Sequence, residues 1–172
     1  MTKNRRDLIL AILTAVCGIV ALVALAFPIY IHKETALSDY VKDYTLAEFT
    51  FGDGKNFKLS IMYLVPFLLE IFGILLTVPQ LLDTEKYKPL KKLNQVFRIL
   101  AIFLFAGSFA VYMAARGDAY VSEHNLSAVL NEVYNLGYAH IVAAIASIAA
   151  VILQLVNCRA VWAENKKEKS KF

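Results

Sequence analysis

Charge is missing from long stretches of this chain. Residues 8–31 and 99–115 hold no Asp, Glu, Lys or Arg; residues 59–82 hold only Glu70, and residues 133–158 only His140. A helix crossing the hydrocarbon core of a bilayer needs about 20 predominantly apolar residues. A buried helix of a soluble bundle keeps a polar face that returns every 3.6 residues. "LILAILTAVCGIVALVALAF" shows no such face. The reading is an all-α integral membrane protein, a bundle of four transmembrane helices over 8–31, 59–82, 97–115 and 136–158, forming one membrane domain from 1 to 172. "KNRRD" ahead of the first apolar run resembles a secretory signal, but the run is longer than a signal core, so a retained first span is expected.

The basic residues orient the spans. Residues 1–7, 83–98 and 159–172 carry 13 of the 18 Lys and Arg. The rule that basic residues stay inside puts both termini, the loop 83–96 and the tail 159–172 in the cytoplasm, with connections 32–58 and 116–135 outside. The formal net charge of +4 then follows from topology. No aromatic-basic interleaving or fold motif points to nucleic acid. A multi-pass protein of the plasma (cytoplasmic) membrane is expected, with the lysine-rich tail solvated and disordered.

The outer connections are long enough to fold. Leu37, Tyr40, Val41 and Tyr44 have helical spacing. In "TLAEFTFGDGKNFKL" the alternation of 46, 48, 50 with 47, 49, 51 around Gly52-Asp53-Gly54 predicts a β-hairpin of 46–51 with 55–59. This hairpin forms part of a small extracytoplasmic cap, packed on the other outer loop or on a partner, because a lone hairpin is marginal. Leu126, Val129, Leu130 and Val133 predict a second helix in the other connection. Tyr40, Tyr44, Phe49, Phe51, Phe57 and Tyr120 are the candidate partner-binding aromatics.

Inside the spans, Ala11, Ala15 and Gly18, Ala106, Ala110 and Ala114, and Ala139, Ala143 and Ser147 form small-residue stripes that suit close helix packing. The second span carries a polar seam: Tyr63, Pro66, Glu70, Gly73, Thr77 and Gln80, at spacings of 3 and 4. Glu70 falls at mid-membrane, level with Ser108 and Ser147, with His140 nearer the outer surface. An unpaired charge at that depth costs at least ~2.5 kcal/mol. Glu70 is therefore expected to be protonated and hydrogen-bonded to a neighbour such as Ser108 or Ser147, or matched by a partner's cation.

Catalytic chemistry finds little support. One intramembrane carboxyl lacks the second acid or base that proton-transfer catalysis pairs with it. His32, His124 and His140 have no metal-site spacing, and the inner half has no histidine for a haem. There is no nucleophile elbow and no phosphate loop. No catalytic residue, cofactor or metal is expected. Cys17 and Cys158 read as free thiols.

With both ends inside and a long, β-containing first outer loop before a shorter second one, the layout resembles the claudin-type tetraspan proteins. It departs from them in lacking loop tryptophans and a loop cysteine pair, Trp162 being the single tryptophan. The resemblance implies a shape and no site residue. Small multidrug transporters share four spans and a membrane glutamate, but their loops are very short and their glutamate lies on the first span. The expected function is that of a non-enzymatic accessory or scaffold subunit, embedded in lipid, binding another membrane or extracytoplasmic protein through its outer cap or membrane face. Association with itself is compatible with the same features. The alternative is a small proton-coupled transporter or channel built around Glu70.

Overall fold

The computed structural model describes residues 3–33, 43–52, 59–81, 88–114 and 134–169. Among them, four helices are long and apolar enough to cross a membrane: α1 (Lys3–Val23), α3 (Ile61–Thr77), α4 (Lys88–Ala114) and α5 (Ala139–Lys169). A short helix, α2 (Leu46–Phe51), and three strands, β1 (Pro28–His32), β2 (Tyr44–Thr45) and β3 (Tyr134–Leu136), gather at one end. That end is here called the sheet end; the other, where α1 begins and α5 runs out, is the terminal end.

In the bundle, α1 packs on α3 and α5, and α4 packs on the same two helices. The order around the ring is therefore α1, α3, α4, α5, and α3 faces α5 across the axis, as α1 faces α4. Large apolar residues such as Ile12, Val16, Ile19, Phe72, Leu75, Phe103, Ile145 and Ile152 are exposed around the outside. Small ones fill the inside of α1: Ala11, Thr14, Gly18 and Ala21 are buried. Small residues on that face let the helices approach closely.

The first apolar run does not stay helical to Ile31. Phe27 is extended (φ −88°, ψ 155°), because the residue before a proline is pushed out of the helical region, and Pro28 has no N–H to continue the ladder. The β-branched and aromatic Ile29-Tyr30-Ile31 then enter β1, the middle strand of a sheet ordered β2-β1-β3. Both neighbours are antiparallel, with Tyr30 opposite Tyr44 on one side and Leu136 on the other. The Gly137 N–H donates to the Ile29 carbonyl at 2.6 Å, and a methyl on Gly137 would collide with the Pro28 carbonyl oxygen. Only glycine fits there.

Residues 46–51 are helical, where alternation predicts a strand. Thr45 and Glu48 form a reciprocal capping box: Thr45 Oγ1 accepts from the Glu48 N–H at 3.2 Å, and Glu48 Oε2 accepts from the Thr45 N–H at 2.9 Å. Two satisfied end donors outweigh a weak strand preference. Gly52, with φ 85°, ends this helix instead of opening a hairpin. Residues 53–58, with most of the return strand expected over 55–59, lie outside the described residues, as do 34–42 and the helix expected within 126–133, and Leu59 is not in a strand.

At the terminal end the helices exceed the expected spans. Pro89 sits in the first turn of α4, where a missing N–H costs nothing, so the helix begins at Lys88 instead of near 97. The tail, expected to be disordered, continues α5 to Lys169, since Ala, Glu and Lys are strong helix formers and no Gly or Pro follows Cys158 before that point.

Candidate functional site

The interior of the bundle is layered. All of Tyr63, Pro66, Glu70, Gly73 and Thr77 on α3 are buried, and so is Gln80 in the 3-10 turn that follows. The 3 and 4 spacing thus presents one helix face to protein and the aliphatic remainder outward. On α4 the buried stripe is Asn94, Arg98, Ala101, Phe105, Ser108 and Tyr112. The expected alanine stripe of that span is displaced: Ala110 and Ala114 are exposed and Ala106 is half-buried. On α5, Ala139, Ala143 and Ser147 are buried as a small-residue face.

The middle layer holds the carboxyl. Glu70 is fully buried and its Oε1 is hydrogen-bonded to Ser147 Oγ, across the axis from α3 to α5. Ser147 Oγ also lies 2.8 Å from the Ala143 carbonyl, four residues back on its own helix. One hydroxyl proton cannot serve both acceptors at once; a protonated carboxyl would let Ser147 donate to Ala143 while accepting from Glu70. Ser108 Oγ donates to the Pro66 carbonyl at 3.3 Å and stands beside the same carboxyl. Glu70 Oε2 has no partner among the described residues, and a turn of the Ser108 hydroxyl would supply one. The three residues that sequence places at one depth are therefore brought together.

Towards the sheet end, Tyr63, Tyr112, Ala139 and Ala143 share an apolar cluster with Ile29, Tyr30, Tyr44, Leu46 and Phe49, so the cap and the bundle have a continuous core. His140, 2% exposed, also lies in this region. Two of the candidate partner-binding aromatics are spent here. Tyr44 and Phe49 are buried, with Phe49 against Tyr30 at a ring distance of 5.1 Å, so neither offers a surface. Phe51 is 46% exposed and stands edge-on to Phe67. Tyr40, Phe57 and Tyr120 lie outside the described residues, as does His124.

Below Glu70 the polar seam is interrupted. Phe105 fills the centre with Ala101, Ala150 and Val151. Its ring lies against glycines on two other helices: a methyl on Gly73 would sit 2.9 Å from it, and one on Gly18 3.2 Å from it. This apolar layer lies between Glu70 and the polar side chains of the terminal end.

Beyond it comes a second polar layer, larger than sequence reasoning foresaw. Thr77, Gln80, Asn94, Arg98, Gln154 and Asn157 are buried together with the half-buried Asp7. Gln80 Nε2 donates to the Leu76 carbonyl at 3.0 Å and Asn94 Nδ2 to the Pro79 carbonyl at 3.2 Å. Arg98 on α4 reaches Asp7 on α1 at 3.9 Å, and Arg6 shares that carboxylate at 3.2 Å. Neither amide atom of Gln154 or of Asn157 has a partner among the described residues. The signal for Asn94 and Arg98 was available, since both continue the 4, 3, 4, 3 spacing that leads to Ser108 and Tyr112.

Comparison with models of protein families, with curated proteins and with solved structures finds no match. Function has to be argued from the geometry. No group of three or more His, Cys, Asp or Glu converges among the described residues. His32 sits on β1, where its backbone N–H donates to Asp43 at 2.9 Å. Chemically, the middle layer can hold one neutral acid between two helices, and the terminal layer can hold one guanidinium among amides.

Proposed function

We propose that this chain is a non-enzymatic accessory or scaffold subunit of a cell membrane, with four spans, both termini in the cytoplasm and the sheet end outside. It binds a partner protein through the rim of its cap. The observation that carries this reading is the cap itself. Segments from both outer connections are knitted into one sheet and joined to the bundle core through Tyr63 and Tyr112. Around that rigid unit, Phe27, Phe51, Leu59, Ile61, Leu136 and Tyr138 remain exposed. A built, aromatic-edged platform suits docking. The orientation rests on the distribution of basic residues; cysteines introduced at Lys42 and Lys88, in a background without Cys17 and Cys158, are expected to label from opposite sides with an impermeant reagent.

Within this reading Glu70 is a clamp. A neutral carboxyl shared with Ser147 ties two helices that do not otherwise pack extensively. The alternative, a proton-coupled transporter, is supported by the burial of Glu70 and its unpartnered oxygen, and weakened by the Phe105 layer beneath it.

A photo-crosslinking residue at Phe51 or Tyr138, irradiated in native membranes, is expected to give one discrete protein adduct. The same residue at Ile145, on the bundle's outside, is expected to give lipid adducts only. Lipid adducts alone from all three positions, together with Glu70-dependent proton flux in vesicles, would replace the scaffold with the transporter.

A further inference from the structure

A groove of about 380 Å³ opens between α4 and α5 near the terminal end. Its walls are Ile99, Ile102 and Leu155, and its polar rim is Gln95, Arg98 and Arg159. Ile99 and Leu155 face outward, where lipid tails lie if these helices cross a bilayer. Arg159 is exposed. Arg98 is not: it is 5% exposed and its Nε has no hydrogen-bond partner among the described residues. Its ion pair with Asp7 spans 3.9 Å, beyond hydrogen-bonding distance, and Asp7 is drawn closer to Arg6. A buried guanidinium so loosely matched is a strong anion receptor, because its fork of donors suits phosphate oxygens.

Depth decides which anion. Arg98 precedes Ser108 by ten residues, or about 15 Å along a helix. Arg159 follows Ser147 by twelve, or about 18 Å. With the Glu70 layer at mid-membrane, half of a hydrocarbon core about 30 Å thick puts both arginines at the boundary with the phosphate groups. The groove runs from that boundary towards the bilayer centre. We propose that it binds an anionic phospholipid, with Arg98 and Arg159 on the phosphate and one acyl chain along Ile99, Ile102 and Leu155. A soluble phosphate would leave the three aliphatic walls bare, whereas a lipid covers both kinds of surface. Basic pockets between spanning helices are suited to such headgroups.

The site rests on the helices crossing a bilayer and not on any protein partner, so it is tested on the purified full chain. In neutral detergent, phosphatidylglycerol, phosphatidylcholine and inorganic phosphate are titrated separately while the thermal midpoint and the lipid adducts in native mass spectrometry are read. Phosphatidylglycerol is expected to raise the midpoint and to persist as a single adduct; phosphatidylcholine and phosphate are expected to do neither. Arg159→Gln, at an exposed position, should weaken the apparent affinity about five-fold, and Leu155→Trp should block the adduct by filling the groove. Arg98→Gln should lose more, and if it fails to fold the other two variants still decide. Equal retention of phosphatidylcholine, an equal shift with phosphate alone, or an unchanged lipid preference in Arg159→Gln and Leu155→Trp would each overturn the site.

Discussion

Among the described residues two polar contacts cross the axis of this bundle, and they are built differently. Glu70 and Ser147 join α3 to α5 at mid-bundle, fully buried and flanked by aromatic and small apolar side chains. Arg98 and Asp7 join α4 to α1 near the terminal end, within a crowd of amides and beside a groove that opens outward. The first is compact: one acid, two hydroxyls and two backbone carbonyls close on one another. The second is open-ended, with an arginine placed between a distant carboxylate and the groove. If the helices cross a bilayer as proposed, the difference is one of solvent. At the centre of a bilayer a polar group has only protein to bond with, so it is kept few and neutral. Near the headgroups, water and phosphate are available, and polar side chains can be left to them.

What keeps the regions distinct is Phe105. Removing its ring should have the largest effect on the comparison. Phe105→Ala is expected to cost about 3 kcal/mol or more, since the glycines its ring packs on, Gly18 and Gly73, bring no side chain of their own into the space. It should also let water reach Glu70 from the terminal end, readable as faster exchange of the carboxyl proton. A stability loss below about 1 kcal/mol would show that the layer is not a packed plug.

A smaller effect belongs to the cap. Thr45→Ala removes one half of the capping box and should destabilise α2 by about 1 kcal/mol, visible as faster amide exchange in 46–51 while the long helices keep their protection. Of similar size is the effect expected of Gln154→Leu. If the terminal layer is dry, replacing a buried amide without partners should be neutral or stabilising; if water solvates it, the leucine should destabilise. The open-ended character of that layer predicts destabilisation, by about 1 kcal/mol, measured by denaturation in detergent.

The parts of this molecule that were legible in the sequence are those set by local spacing. Four apolar runs gave the four long helices, and the 3 and 4 spacing of Tyr63 through Gln80 gave the buried face of α3. The meeting of Glu70 with Ser147 and Ser108 followed from counting depth along straight helices. The cap was misread where two local signals competed. Alternation over 46–51 suggests a strand, while Thr45-Leu46-Ala47-Glu48 is a capping box, and the box prevailed because it satisfies backbone donors directly. The sheet was out of reach, since β3 lies about a hundred residues from β1 and pairing at that separation leaves no local trace. On α4 the alanine spacing suggests a packing stripe that the buried face does not follow, since Ala110 and Ala114 are exposed. Phe105 and Tyr112 occupy that face instead, matched by glycine and alanine on the other helices.

The account turns on Glu70 being a brace between α3 and α5, and a double-mutant cycle reads that brace directly. Glu70→Ala, Ser147→Ala and the double variant are unfolded in the same detergent as the parent, and the coupling between the two positions is extracted. Hydrogen bonds between membrane helices average about 0.6 kcal/mol, with a maximum near 1.7 kcal/mol. The prediction is a favourable coupling of about 1 kcal/mol. Additive effects of the two substitutions, with no coupling beyond error, would mean that the contact holds nothing, and the clamp would have to be abandoned.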